Sequence, residues 1–108
     1  MTVSELSLLE GISVVVMPDG DREIKGVYIG DLLSWVMGRA KADDAWITIM
    51  SNINIVAVAS LADTACVILA EGVSLDASVI ETANAKGVNI LTAAMPAYET
   101  ATALGSRL

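Results

Sequence analysis

Histidine and phenylalanine are absent from this sequence, cysteine occurs once and proline twice. Without His, and with one thiol, the tetrahedral ligand sets of zinc sites cannot be assembled. No Ser or Cys is set against an imidazole base, so nucleophilic catalysis has no constellation to work with. No metal, no cofactor and no enzyme activity are therefore expected. Bases are scarce as well: six Lys and Arg stand against thirteen Asp and Glu, a formal charge of -7. Phosphate backbones would be repelled, and nucleic acid is not an expected partner. Long apolar runs are missing too. The longest, around Ile55–Ala62 and Ala65–Ala70, are separated by Asp63 and fall short of the ~20 residues that span a bilayer. The first residues, "MTVSELSLLE", carry acids where a secretory signal carries bases, and a cytoplasmic location is expected.

What is present is aliphatic. Apolar residues make up 55% of the 108, with a mean hydropathy of +0.65. A chain of this length can bury about two thirds of its unfolded surface and fold as one domain, residues 1–108, without disulfides. Cys66, inside "ACVIL", reads as a small core residue rather than a reactive thiol. Thr2 and Glu5 form a capping box for a short helix that Gly11 stops. "ISVVVM" (12–17) and "GVYIG" (26–30) read as strands, and Asp31 as the cap of a helix with Leu32, Leu33, Val36, Met37 and Ala40 on one face. Strands at 45–50, 65–70 and 88–92 then alternate with helices at 52–62, 76–87 and from Pro96 through Leu104. Strands separated by helices pair in parallel through right-handed crossovers, and their continuous hydrophobicity implies cover on both faces. The expected fold is α/β: a single three-layer domain with a mostly parallel sheet and helices on both faces.

Residues 52–62 are ambiguous locally, since "IVAVAS" has strand-like composition, but the short step to "ACVIL" favours a helix. As a helix it carries two apolar stripes. Ile53, Val56, Ala57 and Leu61 form one, taken as the core face; Ile55, Val58, Ala59 and Ala62 form the other, expected to meet a second copy of the chain in a homodimer, with the closing helix (Ala97, Ala101, Leu104) as the competing cover.

The stretch "PDGDREIKGVYIGDLL" (18–33) looks at first like a phosphate loop, but it has neither the P-loop nor the dinucleotide spacing. Asp21-Arg22, Gly26, then "VYIGDLLSWVM" with Gly30 and Asp31, and downstream "AWITIMSNINIVAVASLADTACVILAEG", together resemble the DRTGG domain over nearly the whole chain. Glu23-Ile24-Lys25-Gly26 stand where Thr-Gly-Gly would follow. The resemblance implies a fold like the N-terminal domain of HPr kinase, without the catalytic half. It also implies a regulatory or assembly module, often dimeric, of the kind attached to phosphotransacetylases or placed beside CBS domains in pyrophosphatases, so a partner enzyme is expected.

A ligand in such a sheet belongs beyond the carboxyl ends of the strands. Ser51, Asn52, Asn54 and Thr92 are the polar candidates there, with Ser51 or Asn52 alternatively a helix cap. The adjacent Asp43 and Asp44 read as a solvated turn. Three functions stay open: a non-catalytic homodimeric regulatory module, a small-ligand sensor with an adenine nucleotide as the candidate ligand, and a small enzyme.

Overall fold

A computed structural model describes residues 1–108. In chain order the elements are α1 (Val3–Leu6), β1 (Ile12–Val16), β2 (Gly26–Ile29), α2 (Leu33–Arg39), β3 (Asp44–Thr48), α3 (Asn54–Ala62), β4 (Cys66–Leu69), α4 (Ala77–Ala85), β5 (Ile90–Ala93) and α5 (Ala97–Gly105). The strands form one five-stranded sheet in the order β1-β5-β4-β3-β2; β2 to β5 run parallel, and β1 joins β5 antiparallel. Side chains alternate across the sheet as the strand pleat requires. Ala45, Ile47, Cys66, Ile68, Leu91 and Ala93 face a layer made by α1 and α5, where Val3, Leu6 and Leu104 are buried. Trp46, Val67, Leu69 and Ile90 face α2, α3 and α4, which contribute Val36, Ile55, Val56, Val58, Ala59, Val79 and Ala83. The expected three-layer α/β architecture is the one observed.

The strand order imposes one demanding connection. β1 and β2 follow each other in sequence yet occupy opposite edges, so residues 17–25 must cross the whole sheet at the amino ends of the parallel strands. Four strand spacings amount to about 19 Å, which a near-extended segment of this length can cover. The strap is fastened at each strand it passes. Beneath β5 and β4, the buried Asn89 amide donates to Asp19 O (2.7 Å) and Ala65 O (2.9 Å), while its Oδ1 accepts from Asp19 N–H (2.9 Å). Beneath β4 and β3, the Arg22 guanidinium donates to Asp43 Oδ1 (3.0 and 3.1 Å) and to Asp63 O (2.6 Å), with Asp63 Oδ1 at 2.8 Å. Lys25 Nζ then lies 3.7 Å from Asp43 Oδ2. Partial burial opposes the Arg22 charge, but hydrogen bonds to Asp63 and Asp43 more than offset it and hold the guanidinium above its ordinary value.

Several local expectations change. The stripes of α3 largely exchange roles: Ile55, Val58 and Ala59 lie in the core and Ala62 is half-buried, while of the expected core stripe only Val56 is buried and Ile53, Ala57 and Leu61 are exposed. The orientation of α3 is set by the layer it belongs to, between α2 and α4, and helical periodicity alone does not say which of two apolar stripes meets the sheet. The stripe expected to meet a second copy is thus already covered by this chain. α5 does not cover it, because α5 lies on the opposite face of the sheet, with Leu104 packed beside Ala45, Ile47 and Ile68. The Asp43-Asp44 turn is not simply solvated. Asp43 holds Arg22 in a left-handed backbone conformation (φ 69°), and the buried Asp44 accepts from Lys41 N–H at 2.8 Å. Gly26 is required beside it, since a Cβ there would come within 2.6 Å of Asp44 Oδ1. Finally, β1 is a half-exposed edge strand, so the sheet is covered on both faces only through its centre.

Two expectations for stability follow from this packing. Asn89→Leu strands the Asp19 N–H and the Ala65 carbonyl, and should lower the unfolding free energy by about 2–4 kcal/mol. Arg22→Met, at a mostly sheltered site, should cost about 1–2 kcal/mol. Urea titrations measure both, and parent-like midpoints would mean the strap is held elsewhere. Cys66, fully buried against α1 and α5, has its thiol pushed up to about 12 by desolvation. Below its unfolded value of 9.0 the neutral thiol favours both states equally; between pH 9 and about 12 only the unfolded chain ionises, so stability is lost across that window. The difference in unfolding free energy between the parent and Cys66→Ala should therefore shrink as pH rises through this range, and a constant difference would contradict it.

Candidate functional site

The carboxyl ends of the parallel strands carry a small polar network. Asp31 does not cap α2, whose N-cap is Leu32. Its Oδ1 instead reaches across to β3, accepting from the Thr48 hydroxyl (2.7 Å) and from Ile49 N–H (3.0 Å), while Thr48 Oγ1 accepts from Met50 N–H (3.2 Å). Gly30 O, one residue earlier, accepts from the indole N–H of the buried Trp46 at 2.8 Å. Asp31 thereby ties the end of β2 to the loop that leads into α3.

Of the four polar candidates, Ser51, Asn52 and Asn54 lie together on that loop and the first turn of α3, all exposed. Asn52 Oδ1 accepts from Asn54 N–H at 2.9 Å, closing a local turn, and the geometric N-cap is Ile53. Thr92 is separate. It pairs with Leu69, which pairs with Thr48, so it stands two strands, or roughly 10 Å, from the β3 end. Between them the Glu71-Gly72 turn, with both residues at positive φ, donates its N–H groups to Met95 O (2.9 Å) and Ala93 O (2.8 Å). Those donors are spent within the chain, and the crevice is left with the loop after β3 and the hydroxyl of Thr92.

Charge is distributed with one polarity. All six bases lie on the strap (Arg22, Lys25) or at and just beyond the C-terminal ends of α2 (Arg39, Lys41), α4 (Lys86) and α5 (Arg107). They complement the negative ends of those helix dipoles. None lies on the loops at the strand carboxyl ends, where Asp31, Glu71 and Asp76 stand instead. Arg22 and Lys25, the bases that a phosphate in the crevice would need, are at the opposite edge of the sheet.

The motif residues separate in the same way. Arg22 and Gly26 belong to the strap edge, Gly30 and Asp31 to the crevice edge, and Asp21 is exposed on the strap. They are two structural fasteners rather than one site.

Two features escape sequence reasoning because they depend on which helices become neighbours. One is an apolar corner at the β2 and β3 ends, where Leu32, Trp35, Ile49 and Ile53 are each about half exposed; Ile29, also half exposed, points with Val27 to the α1–α5 face of the sheet. The Trp35 ring of the corner carries the Arg39 guanidinium 3.7 Å from its centroid. The other is a groove of about 260 Å³ between α3 and α4, lined by Val56, Ala57, Ser60, Leu61, Thr82 and Lys86.

The crossing strap, the parallel core and the divided motif can be compared with known proteins. No curated protein matches the chain. The sequence pattern of the DRTGG domain matches residues 6–106. A solved structure of the CBS and DRTGG domains of the regulatory region of Clostridium perfringens pyrophosphatase, complexed with its activator diadenosine tetraphosphate, is similar with a TM-score of 0.72 at 11% identity. The likeness covers 94% of this chain and 44% of that one, so the chain spans less than half of that regulatory region. With its motif partly kept in sequence and the match running through all five strands and from the end of α1 to α5, the chain belongs to the DRTGG domain family.

Proposed function

We propose that this chain is a non-catalytic regulatory module that assembles as a homodimer and serves a partner enzyme. The observation that carries the reading is the apolar corner formed by Leu32, Trp35, Ile49 and Ile53. Four large apolar side chains held half-exposed at the ends of β2 and β3 and the starts of α2 and α3 form the kind of patch that marks an interaction surface. It is built on well-anchored backbone, since Asp31 fixes Leu32 and Ile49 relative to each other. A two-fold axis through this corner lets the same patch serve both copies. Regulation of an enzyme is supported by the similar structure, in which the DRTGG domain is part of a pyrophosphatase's regulatory region.

A second reading, a sensor of an adenine nucleotide, is favoured by the activator in that neighbouring complex. On this chain the polar loop of Ser51, Asn52 and Asn54 would have to hold the base and ribose, because no cation stands at that edge to receive phosphate.

The homodimer is tested at Leu32, which is 58% exposed and so replaceable without disturbing the core. Light scattering should give twice the 11.2 kDa chain mass for the parent and a folded monomer for Leu32→Glu, whose carboxylate would be buried against its symmetry mate. A monomeric parent would overturn the homodimer. For the sensor reading, adenosine should raise the melting temperature at least as much as ATP does. At a hundredfold excess over the dissociation constant either ligand would add about 2.7 kcal/mol. Flat melting curves with both ligands would remove this reading, and ATP far exceeding adenosine would place the site among the bases of the opposite edge.

A further inference from the structure

We propose that the groove between α3 and α4 binds a small monoanion with an apolar body, a short branched or aromatic carboxylate. The floor and one wall are hydrocarbon, from Val56, Ala57 and Leu61; the rim is polar, from Ser60, Thr82 and Lys86. This is the division of labour of a small-molecule site, in which an apolar lining gives affinity and a few polar groups fix orientation.

The hydrogen-bonding state of the rim selects the head group. Lys86 has no carboxylate within ion-pairing distance, although acids outnumber bases thirteen to six on this chain. The Ser60 hydroxyl has no partner within the protein, and Thr82 Oγ1 already donates to Ser78 O at 2.9 Å, leaving its lone pairs. The rim therefore offers one ammonium and one free hydroxyl as donors. That suits a carboxylate, with one charge and two oxygens, whereas a phosphate ester of nearly two charges would face a chain of net charge -7 with one cation to answer it.

Size points the same way. At about 260 Å³ the groove lies below the ~300–1,000 Å³ typical of sites for drug-sized ligands, which suits a fragment better than a nucleotide. The site is distinct from the polar loop at the strand carboxyl ends, because Lys86 caps the far end of α4. Its walls also differ from the apolar corner proposed for the second copy, so it stands whether or not the chain dimerises.

A lysine at a helix C-terminus also favours the helix dipole, and that purely structural role must be separated from binding. The test is chemical-shift mapping on the isotopically labelled full chain, titrated with 4-methylpentanoate and benzoate, with 4-methylpentanamide and benzamide as neutral counterparts. Both carboxylates should move the amide signals of Ala57, Ser60, Leu61 and Thr82 saturably, with a dissociation constant on the order of 1 mM, as ligands of this size allow. Lys86→Met should weaken them roughly tenfold or more, Lys86→Arg should keep them, and Ala57→Leu, which fills the groove and leaves the charge, should abolish them. A purely structural Lys86 would leave the affinity unchanged on Lys86→Met. That result overturns the proposal, as would equal binding of the amides or the absence of saturable shifts at these residues.

Discussion

The fold depends on a connection that no neighbouring pair of strands would require. Because β1 and β2 close opposite edges of the sheet, the segment between them must run under every other strand, and its backbone polar groups cannot all meet water there. Asn89 and Arg22 meet this demand by two different means. Asn89 is neutral and buried, and works by matching three hydrogen bonds at the start of β5. Arg22 is charged and partly sheltered, and works by drawing Asp43 and Asp63 together below β3 and β4. Both aspartates sit at positive φ, a conformation that Asp tolerates better than most residues, and Asp63 is also the residue that ends α3. One guanidinium thus couples the strap, the entry to two central strands and the end of a helix.

The strap also decides where chemistry is absent. With two bases on it and the other four at helix C-termini, positive charge is drawn to the strap edge. The crevice edge is left with the carboxylates of Asp31, Glu71 and Asp76. Helix N-termini at that edge carry partial positive charge. Little of it is answered by side chains, since α2, α3, α4 and α5 have no side-chain cap and only Asn54 N–H is taken up, by Asn52. The bonds made there instead tie loops to strand ends, Asp31 to Thr48 and Ile49 N–H and the Glu71-Gly72 donors to the end of β5 and the segment after it. An open parallel sheet usually presents its ligand site beyond the strand carboxyl ends. Here that edge is acidic and carries no base, and the unpaired cation with an apolar groove beside it lies elsewhere, at Lys86.

How legible this was in the sequence can be judged element by element. The capping box at Thr2 and Glu5, the three central strands and the alternation with helices were readable because each depends on neighbours within a few residues. The direction of β1 was not. "ISVVVM" has the same composition whether it pairs parallel or antiparallel, and the choice is made by where the crossing strap leaves it. The two stripes of α3 were readable as stripes, but their assignment to core or surface needed the position of α4, whose Val79 and Ala83 share a core with Val58 and Ala59. Asp31 looked like a helix cap because the residue type and position fit one; Thr48, seventeen residues away, took its carboxylate instead. Ser60, Thr82 and Lys86 carry no shared motif at all, and only the packing of two helices brings them to one groove.

The departure from the motif becomes intelligible at the strap. Glu23, Ile24 and Lys25 stand where the family's Thr-Gly-Gly would follow Asp-Arg, and in this chain each has a structural task. Glu23 bridges antiparallel to Thr2, which places the capping box of α1 against the strap. Ile24 is 2% exposed and enters the core beneath α1, with its N–H donated to Met1 O at 2.8 Å. Lys25 gives its N–H to Asp43 O at 2.9 Å and its ammonium to the same residue's carboxylate, reinforcing Arg22. Flexible residues would leave this span to be ordered at greater entropic cost, since a glycine loses more conformational freedom on folding than any other residue. Side chains that pair with α1 on one side and with Asp43 on the other hold it directly. The strap of this chain is therefore built as a fixed girder rather than a mobile loop. The surfaces left free to change on binding are the apolar corner at the ends of β2 and β3 and the α3–α4 groove on the helical layer away from α1.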